Sequence, residues 1–189
     1  MNEMDPGPAS EPRINLFSLV TYLPDPLGSF IDQLRDELVP GCALRAHVTL
    51  LPPRPLSGPA VEAGRQIREI LSRFAPIQVR LDQIHIFTIS SVVYLELAQG
   101  FDELQELHAA LNTGILEFQE PFPYHPHVTL AQQITPEQIP DVFEHARYRW
   151  AQYPNEQSFV VDRATFVQAI HLYKWVDLAE YPLGAGQTG

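Results

Sequence analysis

The 189-residue sequence predicts an α+β protein built from two similar lobes. Three observations carry that expectation. The tetrapeptide His-Val-Thr-Leu occurs twice, at His47–Leu50 and at His127–Leu130. Each copy stands in the same order of elements, namely strand, helix, motif strand, helix, strand. The distance from each motif to the next long strand also matches, His47 to Ile77 and His127 to Ser158. A tetrapeptide can recur by chance, but whole units recurring at matching offsets mark a duplication.

In the first half, Ile14 to Leu23 is rich in apolar and aromatic residues and predicts a strand. Asp25-Pro26 supplies an N-cap and a first-turn proline, and Leu27, Phe30, Ile31, Leu34 and Leu38 follow at helical spacing. Pro40-Gly41 stops that helix near Val39. The first motif strand follows, and Pro52-Pro53 are expected to end it. A second helix is expected from Pro59 to Phe74, with Ala60, Ala63, Ile67, Ile70, Leu71 and Phe74 on one face. Ile77 to Ile89 alternates as a half-buried strand does.

The second half repeats this order. Val92 to Ala98 predicts a strand, and Phe101, Leu104, Leu107, His108, Leu111 and Ile115 mark a helix. The second motif arrives after Pro121 and Pro123. Thr135-Pro136-Glu137-Gln138 is a capping-box start for a helix running to about Arg149. Ser158 to Ala169 is the matching strand, and His171 to Leu178 a last one. Residues 14–183 are therefore expected to form one bilobal domain. Its half-repeats span about 14–89 and 91–169, strand 171–178 closes the fold, and residues 1–13 and 184–189 are disordered or flexible tails.

The composition, 45% hydrophobic and 19% charged, is that of an ordinary globular chain. No apolar run reaches the ~20 residues of a membrane span, and the N-terminus lacks the basic start and apolar core of a signal peptide. The single cysteine, Cys42, fits a reducing cytoplasm. Twelve basic residues face 23 acidic ones, for a net charge of -11, and Lys174 is the only lysine. Extended nucleic acid is held by neutralising many phosphates, so this balance argues against a broad nucleic-acid surface. A small nucleotide or an RNA end, bound by a monomer, is the expected partner.

Residues two apart in a strand face the same side. His47 and Thr49 therefore project together, as do His127 and Thr129, while the valines and leucines enter the core. A pseudo-twofold arrangement would bring the two pairs face to face. Two imidazoles suit phosphodiester chemistry near neutrality, because a neutral copy takes a proton while a protonated one gives a proton to the leaving oxygen. The threonine hydroxyls can hold non-bridging oxygens. No cofactor is required. His125-Pro126-His127 could suggest a metal, but no cysteine cluster or carboxylate set completes a site. Arg45 and His125 extend the same face and are candidate phosphate or nucleoside contacts; Tyr124, Tyr173 and Lys174 are weaker ones. His85, His108, His145 and His171 have no repeated counterpart and are expected in structural or surface roles.

On the paired His-x-Thr motifs, the order of elements around them and the closing Tyr181-Pro182-Leu183, the sequence resembles the two-histidine phosphoesterase superfamily. That group comprises the 2′–5′ RNA ligase-like proteins and cyclic phosphodiesterases. The resemblance covers about residues 13–183. It implies two pseudo-symmetric lobes, each an antiparallel sheet with two helices, around a central cleft. It also implies metal-independent phosphodiester chemistry carried by His47, Thr49, His127 and Thr129, with His47 as general acid and His127 as general base. Leu51-Pro52-Pro53-Arg54 departs from the basic or aromatic continuation of RNA-acting members. Hydrolysis of a 2′,3′-cyclic phosphate is therefore the expected activity. RNA-end ligation or transfer, and non-catalytic binding of a nucleotide or RNA end, are the alternatives.

Overall fold

The computed structural model describes residues 13–42, 44–171 and 174–184. The chain runs β1 (Phe17–Tyr22), α1 (Leu27–Leu38), β2 (His47–Arg54), α2 (Ala60–Leu71), β3 (Ile77–Phe87) and β4 (Val92–Gln99). It continues through α3 (Phe101–Leu111), a 3₁₀ turn (Gly114–Leu116), β5 (Val128–Ala131), α4 (Ile139–Trp150), β6 (Ser158–Val161), β7 (Arg163–His171) and β8 (Lys174–Pro182). All the strands join one antiparallel sheet, ordered β6-β3-β4-β5-β2-β1-β7-β8 and curled into a half-barrel. The α+β fold with two related lobes is as the duplication predicts. The lobes are the two ends of this sheet, and they meet where β2 pairs with β5.

Helical spacing fixes which faces are buried. Helix α1 buries Leu27, Ile31 and Leu34, α2 buries Ala63, Ile67 and Leu71, and α3 buries Leu104, Leu107 and Leu111. These pack with Val48, Leu50, Val128 and Leu130 in one core beneath the sheet. Each buried valine, leucine or isoleucine contributes roughly 1.5–3 kcal/mol by leaving water. No helix among the described residues is long and apolar enough to cross a membrane.

The sequence halves exchange strands between the lobes. Strand β3, from the first half, pairs with β4 and β6 in the second lobe. Strand β7, from the second half, pairs with β1 and β8 in the first. The expected single strand over Ser158 to Ala169 is broken at Asp162, because β6 and β7 belong to opposite ends of the sheet.

Other boundaries also differ from expectation. Strand β2 runs through Pro52 and Pro53, which fall where the β1–β2 register slips and tolerates missing donors. Asp25 is not the N-cap expected: Pro26 takes that position with no side-chain cap bond, and the Asp25 carboxylate instead accepts from the Ser29 amide at 3.0 Å. Gln138 reaches back to the Thr135 amide at 2.8 Å, the expected arm of a capping box, while the regular helix starts only at Ile139. His171 closes β7 opposite Lys174, so the last strand starts at Lys174 and extends to Pro182. The expected tails lie almost wholly outside the described residues.

Gly100 sets the corner between β4 and α3 with φ +87, where a Cβ would stand 2.8 Å from the carbonyl oxygen of Gln78. Both the left-handed backbone and the close approach demand glycine. Gly100→Ala is expected to cost about 1–3 kcal/mol, read as a lowered urea midpoint with unchanged slope. An unmoved midpoint would contradict this.

Candidate active site

The two motif strands pair directly, with Val48 opposite Val128. One step either way along this antiparallel register sets His47 opposite Thr129 and Thr49 opposite His127. Directly opposed residues point to the same face of a sheet, so the four polar side chains form one compact quartet. Val48, Leu50, Val128 and Leu130 point the other way and are at most 1% exposed. The quartet is half-buried on the face opposite the core.

Backbone carbonyls orient both imidazoles identically. Nδ1 of His47 donates to the Arg45 carbonyl at 2.6 Å, and Nδ1 of His127 donates to that of His125 at 2.7 Å. The neutral ring thus keeps its hydrogen on Nδ1 and presents the Nε2 lone pair. The charges around the two rings differ. Burial pushes His47 down to about 4; its bond to the Arg45 carbonyl opposes that, while the Arg35 guanidinium and His127 reinforce it. Burial also lowers His127, and the neighbouring His125 ring adds to that; the His125 carbonyl and, less strongly, the Glu96 carboxylate oppose it.

Helix α1 fixes the approach to His47. Asp32 accepts from the Ala46 amide at 2.5 Å, and Arg35 donates to the Arg45 carbonyl at 3.3 Å. The Arg45 guanidinium lies 3.8 Å over the Tyr22 ring, and the Tyr22 hydroxyl donates to Asp177 at 2.7 Å. In the second lobe His125 Nε2 stands 3.0 Å from both oxygens of Glu96. Phe87 and Tyr94 stack on each other and meet His127 edge-on, at 5.0 and 5.2 Å. Among the described residues no three His, Cys, Asp or Glu side chains form a cluster that could hold a metal ion.

One cavity opens on the quartet, and a second comes near it through Tyr22 and Arg45. The first, of about 690 Å³, is lined by Thr49, His127 and Thr129 together with Phe87, Val92 and Phe122. The other, about 650 Å³, lies across the first lobe and is lined by Tyr22, Arg45, Asp162, Arg163, Asp177 and Glu180.

A family model described as the 2′-5′ RNA ligase superfamily matches residues 23–170. The chain belongs to this superfamily. A Bacillus licheniformis protein named "Putative phosphoesterase" is 25% identical over 172 residues, which cover 89% of this chain and 99% of that one. Apo LigT of E. coli superimposes with a TM-score of 0.58 at 20% identity, over 92% of this chain and 99% of LigT. A Thermus thermophilus protein gives 0.60 at 17% identity, over 89% and 98% of the two chains. At such identities these structures share the fold. LigT has also been crystallised with 3′-AMP and with ATP.

Within this superfamily fold the residues expected from sequence fall into three groups. His47, Thr49, His127 and Thr129 converge, and Arg45 and His125 border them on the same face. Tyr124 lines the larger cavity, but its hydroxyl is turned away to donate to the Thr49 carbonyl at 2.9 Å, and its ring stacks on His108 at 3.8 Å. Lys174 opens β8 opposite His171 and lines neither cavity. Tyr173 lies outside the described residues. Sequence reasoning did not single out Tyr22, Glu96, Phe87 or Tyr94. Tyr22 and Tyr94 pair directly with His47 and Thr129, and two further steps along the second register, past Leu95 on Val128, set Glu96 opposite His127. Aligning the first strand of each half against its motif would have found Tyr22, Tyr94 and Glu96.

Proposed function

We propose that the protein is a phosphodiesterase that opens 2′,3′-cyclic phosphates of nucleotides or short RNA ends by two-histidine acid–base catalysis. The observation that carries this reading is the register of Val48 on Val128. It gathers two imidazoles, each with Nε2 presented, and two hydroxyls on one sheet face. Membership of the 2′-5′ RNA ligase superfamily and the nucleotide complexes of LigT support it.

In the proposed step, Nε2 of neutral His47 takes a proton from water as its oxygen attacks phosphorus. Protonated His127 gives its Nε2 proton to the ribose oxygen as the P–O bond breaks, leaving a phosphomonoester and one free hydroxyl. Thr49 and Thr129 donate to the non-bridging oxygens as negative charge builds there. The resemblance implies the converse roles for the two histidines. The surroundings favour this order: burial, Arg35 and His127 push His47 down to about 4, whereas at His127 the Glu96 carboxylate opposes the lowering by burial and by His125.

The sign of the pH dependence follows. The base works when deprotonated, so activity rises as pH passes the low value of His47, about 4. The acid works when protonated, so activity falls as pH passes the value of His127, which lies below the ordinary 6.5. A bell-shaped kcat/KM with its optimum between 4 and 6.5 is expected, measured on a 2′,3′-cyclic mononucleotide in EDTA. An acid limb at or above 6.5, or activity lost to EDTA, would contradict the proposed mechanism.

A further inference from the structure

The duplication preserved the quartet but not its walls. Positions related by the repeat carry Tyr22 and Arg45 beside His47, but Glu96 and His125 beside His127. The two cavities differ accordingly. The second-lobe cavity is walled by Ile86, Phe87, Val92, Pro121, Phe122 and Pro123. Its one carboxylate, Glu120, is turned onto buried Arg54. Phe122 is 59% exposed at the rim, where a bound group would cover it.

The first-lobe cavity presents carboxylates. Asp177 accepts from Tyr22. Arg163 is already engaged by Asp162 at 2.9 Å and by Glu180 at 3.0 Å. Once Arg45 faces a phosphate at the quartet, Asp162, Asp177 and Glu180 stand against Arg163 alone. A second phosphate on this side meets net negative charge, on a chain whose total is -11.

We infer that the cleft is built for one phosphodiester group whose uncharged, flat or apolar substituent, such as a nucleobase, fills the second-lobe cavity, and that it rejects ligands carrying a further phosphate into the first lobe. This deepens the phosphodiesterase reading and rests on it for the chemistry. The cavity of about 690 Å³ is in the range of small-molecule sites, and it is continuous with His127 and Thr129. The ligand is a small nucleoside cyclic phosphate rather than an oligonucleotide.

The test compares adenosine 2′,3′-cyclic phosphate with an adenosine dinucleotide that carries the same cyclic end and one internal phosphodiester. Binding is measured by calorimetry and turnover by product analysis. The mononucleotide is expected to bind about ten-fold or more tightly than the dinucleotide at low salt. Asp177→Asn/Glu180→Gln narrows that ratio, raised salt narrows it too, and Phe122→Ala weakens the mononucleotide. Equal binding of the two ligands by the wild type, or a ratio that the double substitution leaves unmoved, overturns the inference. Selective binding without turnover leaves the selectivity standing and overturns the phosphodiesterase reading instead.

Discussion

His127→Ala and His47→Ala are each expected to lower kcat on a 2′,3′-cyclic mononucleotide by about 10²- to 10⁴-fold, with KM little changed. In the proposed step both imidazoles move a proton, and both lie on the face opposite the core. Their Nδ1 atoms donate to carbonyls two residues back, so truncation removes one short local bond from each strand. The strands themselves are held by Val48, Leu50, Val128 and Leu130 on the other face. The double variant should be scarcely slower than the worse single one, because groups acting in one step are not additive. Steady-state kinetics with a thermal-melt control checks this. A single variant that keeps wild-type kcat would remove its histidine from the chemistry.

Arg54→Met is expected to cost about 3–5 kcal/mol, the largest stability loss proposed for any single side chain here. Its guanidinium is 1% exposed and pairs with Glu120, itself 10% exposed. It also donates to the Pro52 carbonyl at 2.9 Å, to Asn112 at 2.7 Å and to the Leu116 carbonyl at 3.0 Å. Substitution leaves Glu120 buried with the guanidinium gone and only the His108 ring, 3.4 Å away, beside it. For a chain of this size the melting temperature should fall by roughly 6–20 °C. Pairing the change with Glu120→Gln should recover part of the loss, since the stranded charge, more than the lost bonds, dominates the cost. Arg54 also ties the segment bearing Phe122 and Tyr124 to β2. The double variant should therefore bind nucleotide more weakly even where it is folded. A melting temperature within about 2 °C of wild type for Arg54→Met would contradict the assignment.

The quartet was legible in the sequence because strand geometry has period two, and because a repeated word gives its own alignment. The same logic found the helices and most strands. It did not show that β3 and β7 change lobes, since which strand pairs with which is decided by long-range packing rather than by any local pattern. The prolines at 52 and 53 misled for a related reason. Their missing donors matter only where a regular ladder needs them, and the slipped register there does not.

The walls of the site were harder to find. Nothing in their own strands distinguishes Glu96 and Tyr22, and only the pairing brings them beside the histidines. Tyr124 is one of the weaker candidates in the sequence, and its hydroxyl serves the backbone of the other motif strand. Arg54 stood out only as a departure from the resemblance. Its reason is the buried carboxylate of Glu120, far along the chain.

The most direct test is ³¹P NMR of a 2′,3′-cyclic mononucleotide incubated with the protein in EDTA at a pH between about 4 and the ordinary histidine value of 6.5. Replacement of the cyclic phosphate resonance by that of a monophosphate, abolished when His47 and His127 are both alanine, is the result predicted. A cyclic phosphate that persists with the wild-type protein, or that is opened equally well without the two histidines, would contradict the assignment of this cleft to phosphodiester hydrolysis.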